Sequence, residues 1–142
     1  MADGTPDSLE KQVLVEHRET VVDVCEAGDA VATAWPDETV TDPKQVTMPL
    51  TALLAERGLD TALLDVLATT VGAVGASTAG TPVPAPPYFI VTSRGPLCRA
   101  TLDDGRRLVV RLNLFTVERR PRAYRFRNPS PNTCLETGIF EG

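Results

Sequence analysis

The chain has 142 residues, 42% of them hydrophobic and 23% charged, with a formal net charge of −5. These values exclude wholesale disorder and supply apolar material for one core rather than two. Three scattered cysteines (Cys25, Cys98, Cys134) and a single histidine exclude a disulfide framework and a structural zinc site, so reduced thiols acting as small core hydrophobes are expected.

In chain order, Met1 to Asp7 is acidic and polar, without a basic start and an apolar run. No export leader is expected, and the cytoplasm is the expected location. Ser8 to Trp35 carries the clearest periodicity. At 100° per residue, Leu9, Val13, His17, Val21, Val24, Ala27, Gly28 and Val31 fall within an arc of about 160°. Lys11, Glu16, Glu19, Asp23, Glu26 and Asp29 occupy the other side. Ser8 is the expected N-cap and Pro36 the stop, while Gly28 predicts a kink or a close crossing, with the helix splitting near Gly28-Asp29.

Pro36 to Thr47 reads as a polar turn region. A second helix is expected with Pro49 in its first turn, Thr47 or Met48 as cap, and Leu50, Leu53 and Leu54 on its apolar side up to Gly58. Asp60 then caps a third helix bearing Leu63, Leu64, Leu67, Val71 and Val74. The small-residue run from Gly72 to Gly80 is expected to lie against Ala27, Gly28 and Val31. The uncharged stretch from Val66 to Ser93 is broken by those glycines and by four prolines between Pro82 and Pro87. It fails to reach the roughly 20 apolar residues that a membrane span needs, so no membrane partner is expected. Thr81 to Pro87 should be a stiff polyproline connector.

Beyond it the period changes to two. Tyr88–Thr92 reads as a strand, Ser93-Arg94-Gly95-Pro96 as a turn, Leu97–Leu102 as a second strand and Asp103-Asp104-Gly105 as a hairpin turn. Arg107–Val117 reads as a third strand and Ala123–Arg127 as a short fourth at an edge. Asn128 to Gly142 shows little pattern and is expected to be an irregular tail. The fold class is therefore α+β: three helices packed on one face of a three- to four-stranded antiparallel meander. One domain, 1–142, is expected, comprising a helical part (8–76), the connector (81–87), a sheet (88–127) and the tail (128–142).

Charge is divided along the chain. Residues 1–65 hold fourteen carboxylates against four basic residues, and residues 66–142 hold five against ten. The basic residues are twelve arginines and only Lys11 and Lys44. With plentiful Asp, Thr, Val and Ala, this composition resembles that of small uncharacterised proteins from salt-loving archaea, which implies a salty cytoplasm and nothing about chemistry.

No catalytic, cofactor or metal signature emerges. G-x-S-x-G, G-x-G-x-x-G and the phosphate-loop ending are all absent. His17 sits on the apolar arc, where a core or dimer-seam histidine with satisfied ring nitrogens is expected rather than a general base. A helix-turn-helix over Pro49–Val74 is disfavoured because no Lys or Arg follows Asp60 until Arg94. The arginine cluster is the remaining constellation. Alternation sends Leu108, Val110, Leu112 and Leu114 inward and leaves Arg107, Val109, Arg111, Asn113 and Phe115 outward, with Arg99 outward on the preceding strand. Tyr124 and Phe126 alternate with Arg125 and Arg127 on the next. A non-catalytic interaction module is expected, using Arg99, Arg107, Arg111, Phe115, Tyr124, Arg125, Phe126 and Arg127 to contact an acidic protein surface or a second subunit. The alternatives are single-stranded nucleic acid or another polyanion on the same face, with Tyr124 and Phe126 as stacking groups, and an enzyme of unknown class. A solvated face with arginines paired locally to Asp103, Asp104 and Glu118 is the bland counterpart.

Overall fold

Leu9, Val13, Val21, Val24, Ala27 and Val31 recur at helical spacing and are all buried, so the first helix lies along the core. The computed structural model describes residues 6–141, with side chains from Leu9 onward; Met1–Thr5, where most of the leader reading falls, and the final Gly142 lie outside the described residues. In chain order the elements are α1 (Pro6–Thr33), β1 (Thr39–Val40), α2 (Lys44–Glu56), α3 (Leu59–Ala73), β2 (Phe89–Thr92) and β3 (Gly95–Thr101). They continue as β4 (Arg107–Leu112), β5 (Phe115–Glu118), β6 (Ala123–Phe126), α4 (Pro131–Cys134) and β7 (Leu135–Phe140). The class is α+β, but the strands form two antiparallel sheets: a four-stranded one ordered β2-β3-β4-β7 and a three-stranded one ordered β1-β6-β5. Among the described residues, no helix is long and apolar enough to cross a membrane.

Helix α1 bends at His17 (φ −121°, ψ 21°), not at Gly28. The bend coincides with a hydrogen bond between His17 Nε2 and Thr69 Oγ1 of α3, 2.7 Å apart. Gly28 is a close crossing instead. A Cβ there would stand 3.0 Å from the Phe126 ring and 3.1 Å from Leu114 Cδ1, so the partner is the sheet half and not the Gly72–Gly80 run. Ser8 is not the cap, because the helix already runs from Pro6.

Helix α2 begins at Lys44, which places Pro49 inside it rather than in its first turn. Proline has no N–H, so the carbonyl of Gln45, four residues earlier, loses its helical donor. Trp35 Nε1 donates to that oxygen at 3.1 Å. Gly58, in the left-handed region (φ 70°), turns the chain into α3.

Strands β3 and β4 keep the alternation read from the sequence. Cys98, Ala100 and Leu102 are buried beside Leu108, Val110 and Leu112, while Arg99, Thr101, Arg107 and Arg111 are exposed. The inward rows belong to one buried cluster with residues of α1, α2 and α3. The third strand, read as Arg107–Val117, breaks after Leu112. Leu114 N and Phe115 N both donate to the Arg94 carbonyl, at 2.7 and 3.0 Å, and the chain then enters the smaller sheet as β5. Leu114 and Phe115 are consecutive and both buried, so the inward phase shifts by one residue there.

The expected irregular tail is instead structured. Ser130 and Thr133 form a capping box around the short α4, with Pro131 early in that helix. Strand β7 then pairs with β4 from Leu112↔Leu135 to Arg107↔Phe140. The backbone N–H of Thr137 donates to Glu10 Oε2 at 2.9 Å, so α1 covers part of the edge that β7 would otherwise expose. Residues around the proline-rich connector are held to the sheet through Ala79 N to Thr101 O (2.9 Å) and Asp103 N to Ser77 O (2.8 Å).

The Trp35–Gln45 bond is checked by a double-mutant cycle on urea unfolding. Trp35→Phe is expected to cost about 1 kcal/mol less when Pro49→Ala restores the helical donor than when Pro49 is present. Additive costs would contradict this.

Candidate functional site

The outward face of the four-stranded sheet is built by strand register. Three rows cross it: Leu97–Arg111–Glu136, Arg99–Val109–Gly138 and Thr101–Arg107–Phe140. Arg99, Arg107 and Arg111 are exposed, while Leu97 and Val109 between them are half-buried. Phe140 is 50% exposed, and its ring lies 3.1 Å from where a Gly138 Cβ would stand. The absence of a side chain at Gly138 thus lets that ring lie back across its own strand.

Glu136 stands opposite Arg111 on this face, and Glu141 lines the hollow beside Arg99 and Arg107, but among the described residues neither forms an ion pair with these arginines. Asp104 is held by Arg106, whose Nη2 lies 2.8 Å from Oδ2; the Arg106 guanidinium and amide keep that carboxyl below its usual range. Glu118 and Glu38 are both engaged by Arg125, at 2.6 and 2.9 Å. Among the described residues, Arg94, Arg107 and Arg111 form no ion pair, and Arg99 makes only a bond from Nε to the Pro87 carbonyl at 3.1 Å. The expected local pairing therefore goes to Arg106 and Arg125.

Two hollows flank the arginines. One of about 470 Å³ is lined by Arg99, Arg107, Val109, Tyr88, Phe140 and Glu141. The other, about 660 Å³, opens at the seam between the two sheets and takes Arg94, Arg111 and Arg127 with Asn113 and Glu136. Arg94, Tyr88, Glu136 and Phe140 were not among the site residues expected from the sequence. Arg94 lay in a turn, and Glu136 and Phe140 in the segment read as irregular.

The second half of the expected site is corrected. Phe115 and Tyr124 are buried (1% and 4% exposed), because the strand break turns Phe115 inward and β6 sits between β1 and β5. Phe126 is half-buried against Phe115, with ring centroids 5.7 Å apart, and Phe115 in turn meets Trp35 at 5.6 Å. Arg125 is committed to Glu118 and Glu38. Arg127 donates to the carbonyls of Asn113 (2.9 Å) and Thr133 (3.5 Å), fixing its side chain at the seam. These residues serve the smaller sheet and the junction, not one exposed face.

His17 is largely buried (side chain 17% exposed) and bonded to the Thr69 hydroxyl, with Glu16 3.8 Å away. It lines neither arginine hollow. Among the described residues, no group of three His, Cys, Asp or Glu side chains is placed to hold a metal ion.

The three thiols have different environments. Cys98 is fully buried, with its sulfur 3.7 Å from the Leu63 carbonyl, and burial pushes its pKa up to about 12. The Cys134 thiol hydrogen-bonds to the Cys25 sulfur, which lowers the Cys25 pKa and raises that of Cys134. Cys25 is also the half-exposed one. Alkylation of the folded protein at pH 8, read by peptide mass mapping, is expected to label Cys25 first, with Cys98 and Cys134 labelled only on denaturation. Equal labelling of Cys98 in the folded state would contradict this.

No curated protein and no solved structure matches the chain. A family model described as a domain of unknown function (DUF7988) matches residues 7–138, nearly the whole chain, and the chain belongs to that family.

Proposed function

We propose that the chain is a non-catalytic interaction module whose arginine face, centred on Arg99, Arg107 and Arg111, contacts an acidic protein surface. One observation carries this reading: among the described residues Arg99, Arg107 and Arg111 form no ion pair, while the nearby Asp104, Glu118 and Glu38 are engaged by other arginines. Half-buried Leu97 and Val109 and exposed Phe140 give the face apolar ground on which a partner can exclude water, and guanidinium–carboxylate bonds gain strength there. A second subunit is one such partner, since Glu16, Glu19, Glu26 and Asp29 line an exposed side of α1. Burial of Tyr124 takes one of the two expected stacking groups away from the nucleic-acid alternative. Unpaired thiols support a reducing compartment such as the cytoplasm. If the arginine-rich composition marks a salt-loving origin, long-range steering is screened away, and contact-distance forks are what survives.

The test compares the native chain with the triple variant Arg99→Glu, Arg107→Glu, Arg111→Glu, after circular dichroism has shown both to be folded. Sedimentation across concentration reports self-association, and cross-linking in the native cell reports a different partner. A complex present with the native chain and lost with the triple variant is expected. The same complexes with both chains, or a monomer with none, would reject the proposal.

A further inference from the structure

The seam hollow differs from the hollow beside Arg99 and Arg107 in drawing its arginines from three separate elements. Arg94 comes from the β2–β3 turn, Arg111 from β4, and Arg127 from the residue after β6. Each backbone is anchored to the same short stretch of chain. The Arg94 carbonyl accepts from Leu114 N and Phe115 N, and Arg127 N donates to Leu114 O at 2.8 Å. Arg111 is paired between Leu97 and Glu136, one residue before Leu112. At Gly95 (φ +143°) a Cβ would collide with the Leu112 carbonyl, so the turn carrying Arg94 can press onto the end of β4 only with glycine there. The three arginines thus stand on a common rigid base.

Their head groups are unequally engaged. Arg127 is fixed by two backbone carbonyls, whereas Arg94 and Arg111 have no carboxylate partner among the described residues. One carboxylate lines the hollow, Glu136, and its Oε1 accepts from Asn113 Nδ2 at 3.1 Å. Three guanidinium groups against one carboxylate leave a surplus of two positive charges.

We infer that this hollow binds a small phosphate monoester. A monoester carries a charge of about −1.5 to −2 near neutral pH and three acceptor oxygens, which matches that surplus and the planar forks of Arg94 and Arg111. The hollow, about 660 Å³ and open to solvent on one side, lies in the size range of small-molecule sites and leaves room for an organic part beside the phosphate. Glu136 retains acceptor capacity toward hydroxyl groups on that organic part, which favours a polyol or sugar. The site goes beyond the protein-contact reading, sharing Arg111 and Leu97 with it. Arg94 and Arg127 belong to the hollow alone.

Isothermal titration of the full chain at about 0.1 M salt, where surface charges are partly screened, tests this with glucose 6-phosphate, inorganic phosphate, citrate and glucose. Saturable one-to-one binding of glucose 6-phosphate is expected, tighter than that of inorganic phosphate or citrate, with no binding of glucose. Arg94→Ala and Arg111→Ala should each weaken it about tenfold or more. Arg94→Lys, which keeps the charge and loses the fork, should fall between native and Arg94→Ala. Arg99→Ala and Arg107→Ala should leave it unchanged, so loss of a protein complex in those two variants is separable from loss of the phosphate site. No saturable binding of either phosphate probe overturns the inference, as does tighter binding of citrate or of inorganic phosphate, or indifference to Arg94→Ala and Arg111→Ala in folded protein.

Discussion

Strand β4 is the constraint on which the rest of the structure depends. It lies between β3 and β7, so both of its backbone edges are paired, and its two faces are chemically opposite. Leu108, Val110 and Leu112 are essentially water-free, while Arg107 and Arg111 stand in solvent. Burying three such branched residues is worth roughly 1.5–3 kcal/mol each, and a one-residue slip would exchange them for guanidinium groups that cannot be buried unpaired. The register is therefore enforced from both sides, and the exposure of the arginines follows from the burial of the leucines.

Where β4 ends, the architecture changes hands. The Arg94 carbonyl takes the two amides that follow Asn113, and the chain leaves the larger sheet for the smaller one. That junction sends Phe115 into an aromatic group with Trp35 and Phe126, and it creates the seam hollow. Arg125, on the smaller sheet, then meets Glu118 across its own hairpin and Glu38 from the segment before β1. The result is a division of labour among arginines of similar sequence context. Some close the molecule upon itself, and others are left facing outward.

Much of this was legible in the sequence and some was not, for identifiable reasons. The apolar arc of α1 and the β3–β4 hairpin around Asp103-Asp104-Gly105 were readable because each buries one face, and burial imposes a period. Strand β7 was hidden because Glu136, Thr137 and Gly138 dilute its alternation; it exists through pairing with β4 and through Glu10, which is 127 residues away from Thr137. The early start of α2 was hidden because a proline argues against a helix interior, and the donor that replaces its missing N–H at the Gln45 carbonyl, Trp35, is a tertiary contact. Gly28 correctly signalled a close approach, but what approaches it is Phe126 and Leu114. Within the site, Arg99, Arg107 and Arg111 followed from alternation alone. The fates of Arg125, Phe115 and Tyr124 depended on the strand break and on a glutamate from another region, neither of which has a local signature.

The central claim is that, among the described residues, the arginines of β4 form no ion pair. Arg106 and Arg107 make it directly measurable, since these neighbours in sequence have opposite surroundings: Arg106 Nε donates to Asp104 at 2.9 Å, while Arg107 forms no ion pair among the described residues. Hydrogen exchange at the guanidinium Nε–H, followed by nitrogen-15 NMR of the full chain, reports both groups in one spectrum. Slow exchange is expected at Arg106 and Arg125 and rapid exchange at Arg107 and Arg111. Equal protection at all four would mean that the outward face is already neutralised, and would contradict the claim.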